Sequence, residues 1–332
     1  MKSEKKNGTY FLSVLMTILG FLLAAFLNAA VPQKADVVFK PHEIFGITTD
    51  SNTAYRFVLV LLSLYYLILG IVSARPEEKK NKYIHATKFR FVMGLLLFLW
   101  DLLGTKLQAL PQPFFPGPAG IMEAFVAESD YILENTLYSL RLYICGFFIG
   151  VVTGILTGIL VGWFPKVRYW LSPIMNVLGV IPAVAWMPFA LTIMPNPFSA
   201  AVFLIAVSVW GLVATLTATG VQSTPKTQFE AGRVLGGNER YLVFHVAIPH
   251  ALPQIFTGIT TSNGYAFTTL VMAEMMGQPG GLGYYINASK VWSAYYKVFA
   301  AIIVMAILFS VITHLIELLQ KRVLRWQEGV VK

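Results

Sequence analysis

The sequence predicts an all-α membrane protein, a polytopic transmembrane helix bundle of about eight spans with both termini cytoplasmic. Three observations point there. Of 332 residues, 56% are hydrophobic and 12% are charged, against about 25% charged in a soluble domain. Apolar runs of about 20 residues recur, the length that crosses a hydrocarbon core of about 30 Å. The charges sit in short clusters between those runs, as membrane flanks do. The net charge of +9 therefore reads as flanking charge rather than a nucleic-acid surface.

The candidate spans are 10–31, 55–74, 89–107, 136–163, 171–194, 199–221, 254–276 and 298–320. The first is too long for a signal-peptide core and ends at no clear small-residue cleavage site, so it reads as a retained span. Orientation follows from Lys and Arg. With a cytoplasmic N-terminus, 18 of them fall in inner segments, among them Lys2, Lys5, Lys6, the run from Arg75 to Arg90, and Lys321, Arg322, Arg325 and Lys332. Six fall in outer segments: Lys34, Lys40, Arg56, Lys106, Lys290 and Lys297. That bias puts both ends inside.

Within the fourth span, Gly146, Gly150, Gly154, Gly158 and Gly162 recur every four residues and share one helix face. Such a face admits close helix packing, as a fixed contact or as a moving seam. The fifth span carries Pro173, Pro182 and Pro188. Each removes a backbone donor, leaving either a kink or a wet pathway lined by freed carbonyls. The single cysteine, Cys145, excludes an internal disulfide and reads as a packed apolar residue.

The most informative stretch joins the sixth and seventh spans at 222–249. Thr224 is placed to cap a helix and Pro225 suits its first position. Glu230 and Arg233 neighbour each other one turn apart. Gly236 and Gly237 stop the helix, Asn238 caps a second short one, and Pro249 opens the next span. A short charged helix on the inner side either docks in a partner's groove or lies on the headgroups.

This stretch resembles the EAA loop of binding-protein-dependent ABC importer permeases. Glu230-Ala231-Gly232, Gly236, Val246 and Ile248-Pro249 keep the loop's full spacing. Gly232 replaces an Ala and loosens the helix by about 1 kcal/mol. Ile181-Pro182-Ala-Val-Ala-Trp186-Met-Pro188, Met272-Ala-Glu274-Met-Met-Gly277 with Gly281-Leu-Gly283, and Phe115-Pro116-Gly-Pro118 are similar to stretches of the nitrate/sulfonate/taurine permease group. The resemblance divides the chain into an N-terminal extension at 1–85 with two spans and a permease domain at 86–332. It implies a separate cytoplasmic ATP-binding subunit, an extracytoplasmic solute-binding protein, a second copy of the chain, and a small, often anionic solute. Glu230, Ala231, Gly232, Arg233, Gly236, Val246, Ile248 and Pro249 become the ATPase-coupling set.

The chain itself shows no Gly-x-x-x-x-Gly-Lys-Ser/Thr phosphate loop, so ATP hydrolysis is expected in a partner and the chain is not read as an enzyme. His-Glu-x-x-His and Gly-x-Ser-x-Gly are also missing. No cofactor or metal is expected. A stand-alone secondary transporter driven by an ion gradient is the alternative, though no inverted repeat is evident. Asp101, Arg141 and Glu274 fall in the outer halves of spans, where charge costs about 3 kcal/mol each. Arg141 either pairs with Asp101 or Glu274, or one of the three lines the solute path. Pro182, Trp186, Glu274, Arg141 and Asp101 are the pathway or gate candidates. His314, Glu317 and Lys321 read as a local pairing at the inner end of the last span.

Overall fold

The structure, a computed structural model, describes residues 2–33, 42–44 and 47–326. Lys34, Lys40 and Lys332 of the charge tally lie outside them. Helices dominate because backbone N–H and C=O groups in lipid must find partners within their own segment. Among the described residues, six helical stretches are long and apolar enough to cross a membrane: Gly8–Ala30, Ser51–Ser73, Ser129–Trp163, Pro197–Gln222, Glu239–Gly277 and Tyr295–Val323. A seventh, bent pair joins them if Pro165–Gly179 and Ala183–Ile193 form one span. The predicted span at 89–107 lies on a helix that starts earlier, at Glu77, and carries Lys88 and Arg90 into the apolar run. A short antiparallel ribbon, β1 (His42–Ile44) against β2 (Ile47–Thr49), departs from the all-α expectation.

The chain divides into two units, Met1–Tyr131 with Ser289–Ala300, and Ile132–Ala288 with Ala301–Lys332. The first holds α1 (Lys2–Ala30), α2 (Ser51–Ser73), α3 (Glu77–Asp101), which runs into a π-helical turn at Leu102–Lys106, and α4 (Pro118–Ala127). Asp50 caps α2 by accepting from Thr53 N at 3.1 Å. α1 and α3 run parallel: Gly20 meets Gly94, where an added Cβ would fall 2.6 Å from the Gly20 carbonyl carbon, and further along Asn28 meets Asp101. α2 runs antiparallel to both, since Tyr10 near the start of α1 reaches Gly70 near the end of α2. Trp100 and Phe115 pack against Phe299, and Lys297 pairs with Glu128, so the 289–300 segment closes this unit.

The second unit holds α5 (Ser129–Trp163, its first turn in the first unit), α6 (Pro165–Val180), a 3-10 turn at Ala183–Trp186, and α7 (Met187–Ile193). It continues with α8 (Pro197–Gln222), α9 (Lys226–Val234), α10 (Glu239–Leu242), a π-helical turn at Val243–Ala247, α11 (Ile248–Gly277), α12 (Leu282–Val291) and α13 (Tyr295–Val323, its first turns in the first unit).

The glycine stripe of α5 meets α8 in register. A Cβ on Gly146, Gly150, Gly154, Gly158 or Gly162 would fall 2.4 to 2.8 Å from the Cβ of Ile205, Val209, Val213, Thr217 or Val221 respectively. Both series ascend together, so α5 and α8 are parallel. The gap left by the missing side chains is filled by β-branched ones, and dispersion holds the pair where no hydrophobic driving force acts.

α11 returns antiparallel to α8, with Gly258 against Val213 and Gly220 against Ala251. α13 runs antiparallel to α11. Asn263, fully buried, accepts from Tyr143 Oη at 2.6 Å and donates to Thr313 Oγ1 at 2.8 Å, while Phe267 meets Phe309 edge-on. This one amide ties α5, α11 and α13 together.

The predicted span at 171–194 requires correction. It is not one helix: α6 and α7 are bent by 95° across the break. Ile181 adopts an extended backbone (φ −83°, ψ 120°) before Pro182, as steric clash with a following proline ring demands.

Candidate functional site

Two sites emerge in the second unit, a loop at one end of α8 and α11 and a cavity at the break. In the loop, Pro225 itself occupies the N-cap of α9 and no side chain caps it. Thr224 is buried, with its hydroxyl unpartnered, and does not cap the helix as its sequence position implied.

The helix stops where the glycines predict. Gly236 takes φ +82°, its N–H bonds Arg233 O at 2.9 Å, and Gly237 N–H reaches back to Gly232 O at 2.9 Å. This double closure is the Schellman arrangement, and it needs a residue that tolerates positive φ. Asn238 caps α10, accepting from Tyr241 N at 2.9 Å.

One face of α9 is fastened to the bundle. Phe229 lies edge-on to Trp163 of α5 and packs against the cluster of Val221, Ala247, Ala251 and Ile255. Gly232 is buried, and a Cβ there would fall 2.6 Å from Cδ2 of Leu242, which is itself fully buried. Glycine at this position therefore seats α10 against α9 instead of merely loosening the helix.

The opposite face is free of the bundle. Glu230 and Ala231 are exposed, and Val234 and Leu235 are 88% and 84% exposed. Arg233 pairs with Glu239 at 3.3 Å and not with Glu230, because the turn at Gly236–Gly237 brings α10 back beside it. Val246 and Ile248 lie at the π-helical turn and the start of α11, half-buried beside Pro249.

The break between α6 and α7 opens a cavity of about 540 Å³. Pro182 has no N–H to give the carbonyl of Leu178, and both residues line the space. Ser208, Gly211 and Thr215 of α8 and Tyr265, Thr268 and Thr269 of α11 face it from the other helices. Its lining contains hydroxyls and the amide of Asn176, and no charged side chain. A Cβ added at Gly179 or Gly211 would meet nothing within 4 Å. On α8 the hydroxyls of Ser208 and Thr215 stand seven residues, two helical turns, apart, and on α11 Thr268 and Thr269 follow Tyr265 by three and four residues. That polar periodicity inside apolar helices was the available signal, and the sequence reading passed over it.

Of the five pathway candidates, Pro182 lines the cavity. Trp186 packs against the main core cluster and edge-on to Phe189, its indole Nε1 buried without a partner. Arg141 does not pair with Glu274. It is exposed, with its guanidinium 5.0 Å from the ring centre of Phe198. Asp101, in the first unit, is buried and accepts from Asn28 Nδ2 at 2.8 Å.

Glu274 is 1% exposed. Its Oε2 accepts from Gly283 N at 2.8 Å, Asn135 Oδ1 accepts from Gly281 N at 2.9 Å, and Ser139 Oγ accepts from Leu282 N at 2.8 Å. Three consecutive N–H groups at the start of α12, of the four that a helix start leaves without an intrahelical partner, are thus satisfied by side chains of α5 and α11. Among the described residues no ion pair joins Glu317 to His314 or Lys321.

A polytopic helical bundle with a helical loop at one end and a hydroxyl-bearing cavity at a helix break has the parts of a membrane transport component. Residues 150–327 match the family described as the binding-protein-dependent transport system inner membrane component, and the chain belongs to that family. It is a multi-pass protein of the bacterial inner membrane and one of the ABC importer permeases, and its relatives are transport components rather than enzymes.

Its similarities fall in the nitrate/sulfonate/taurine group. The taurine transport system permease protein TauC of Escherichia coli (strain K12) is 29% identical, over 72% of this chain and 89% of its own. The putative aliphatic sulfonates transport permease protein SsuC of Bacillus subtilis (strain 168) is 29% identical, over 78% and 93%. The nitrate import permease protein NrtB of Synechococcus elongatus is 26% identical, over 68% and 85%. Among solved structures, an inward-facing MetNI methionine ABC transporter is 23% identical with a TM-score of 0.48, covering 59% of this chain and 95% of that one.

Proposed function

We propose that the chain forms the translocation pathway of an ATP-driven importer for a small anionic solute of the sulfonate, taurine or nitrate kind, named by the relatives. In this reading α9 and α10 dock on a separate cytoplasmic ATPase. A solute-binding protein delivers from outside, and a second copy of the chain completes the pathway. Residues 1–85 act as an accessory extension, and 86–332 as the permease domain.

The observation that carries the coupling reading is the outer face of α9. Glu230 and Val234 are one turn apart on one face, and Val234 and Leu235 stand almost fully exposed at its tip. Two adjacent apolar side chains beyond the span need a cover, and a groove in a partner supplies it. The fastening of Phe229 and Gly232 makes α9 stiff, so motion of a docked ATPase passes to α5, α8 and α11. Glu230 takes the contact with a basic group on the ATPase.

Eight crossings with both termini cytoplasmic fit the helix directions. α5 and α8 are parallel, so the chain returns across the bilayer between them, and α6 with α7 is the segment available to do so. α3, parallel to α1, supplies the remaining span.

The test is Glu230→Lys in the reconstituted complex. Transport and stimulated ATPase activity should both fall, and wild-type levels of both would overturn the assignment. Transport by this chain alone on an ion gradient would favour a secondary transporter.

A further inference from the structure

Away from the loop and the cavity, the first unit holds an arginine in an aromatic seat. The Arg90 guanidinium lies 4.4 Å from the ring centre of Tyr83 and 5.0 Å from that of Tyr66. Both rings are held: Tyr66 stacks on Phe21 with ring centres 5.4 Å apart, and Tyr83 is tied by its hydroxyl. Tyr83 Oη donates to Tyr66 O at 3.0 Å. Tyr10, edge-on to Tyr83, donates its hydroxyl to Gly70 O. Lys80 Nζ sits over the Tyr10 ring at 5.3 Å. Arg90 Nη1 is buried and has no hydrogen-bond partner.

The flank beside this seat is basic. Arg75, Lys79, Lys82 and Lys88 are exposed, and residues 75–90 keep a net charge of +4 after Glu77 and Glu78 are counted. Aromatic faces hold a cation without neutralising it, so the site retains its positive charge. Arg90 as a whole is only half-buried, so its side chain is not sealed off behind Nη1. A guanidinium fork matches the paired oxygens of a phosphate, and basic clefts between spanning helices suit anionic headgroups. Phe89, beside Arg90 in the chain, is 70% exposed and offers an apolar surface to an acyl chain.

We propose that α1, α2 and α3 bind the headgroup phosphate of an anionic phospholipid of the cytoplasmic leaflet through Arg90, with the lysines of the 75–90 flank as a guiding field. The leaflet rests on the orientation proposed above, whereas the binding does not.

The test is native mass spectrometry of the purified chain in detergent micelles containing phosphatidylglycerol, cardiolipin or phosphatidylcholine. The wild type should retain the two anionic lipids over phosphatidylcholine by about fivefold or more. Arg90→Gln should abolish that preference with its far-UV circular dichroism unchanged, while the Lys79→Gln/Lys82→Gln pair should keep most of it. Should R90Q fail to fold, Arg90→Lys decides: it keeps the charge, loses the fork, and should retain less phosphatidylglycerol than wild type. Millimolar inorganic phosphate should not displace the lipid. Equal retention of phosphatidylcholine, full preference in the folded Arg90 variant, or displacement by phosphate, which marks a soluble-anion site, would each overturn the proposal.

Discussion

Gly281 and Glu274 are packed so closely that only a hydrogen fits between them. A Cβ on Gly281 would fall 2.4 Å from both Cδ and Oε1 of Glu274, and Gly281 also takes φ +106°. Backbone conformation and space both demand glycine here. Gly281→Ala should destabilise the chain by about 1–3 kcal/mol, read as a lower melting temperature in detergent. Gly211→Ala, into open space, serves as the matched control and should change little.

The cap on α12 assigns Glu274 a role as an acceptor. Glu274→Gln keeps an oxygen for Gly283 N–H and should melt close to wild type, whereas Glu274→Ala should lose about 1 kcal/mol. Equal loss in both variants would mean that the charge itself is required.

The α5–α8 seam predicts a compensating pair. Gly158→Ala drives a methyl to 2.4 Å from Thr217 Cβ and should cost about 1–3 kcal/mol by overpacking. Thr217→Gly should recover part of that loss in a double-mutant cycle. Additive losses would show that the two helices do not touch there.

Much of this architecture was legible because its causes are local. Proline at 182, glycine at 236 and asparagine at 238 act on their own backbone, so the break, the helix stop and the second cap can be read from the residues themselves. The glycine stripe announces a close approach, but its partner, the Ile205–Val221 series, is set by tertiary packing. The pairing left open for Arg141 is not made with Glu274: Arg141 is exposed and lies over the Phe198 ring, an aromatic face being another seat for a guanidinium, and spacing along the chain does not choose between them. The bend of 95° could not be read from the prolines alone, since a proline permits a range of angles and the neighbouring helices select one. The grouping of Ser289–Ala300 with the first unit leaves no local mark at all.

The cavity predicts a split between fold and transport. Gly211→Leu places a side chain into unoccupied space, so the melting temperature should hold while solute uptake by the reconstituted importer falls several-fold. Unchanged uptake would remove the cavity from the pathway.

The central claim is that α9 seats in a cytoplasmic ATPase, and proximity at Leu235 tests it most directly. With Cys145→Ser as background, Leu235→Cys carrying a photoactivatable cross-linker should join the chain to the nucleotide-binding subunit in inverted membrane vesicles. Labelling of that cysteine by a membrane-impermeant reagent from the outer face, with no such adduct formed, would contradict the account.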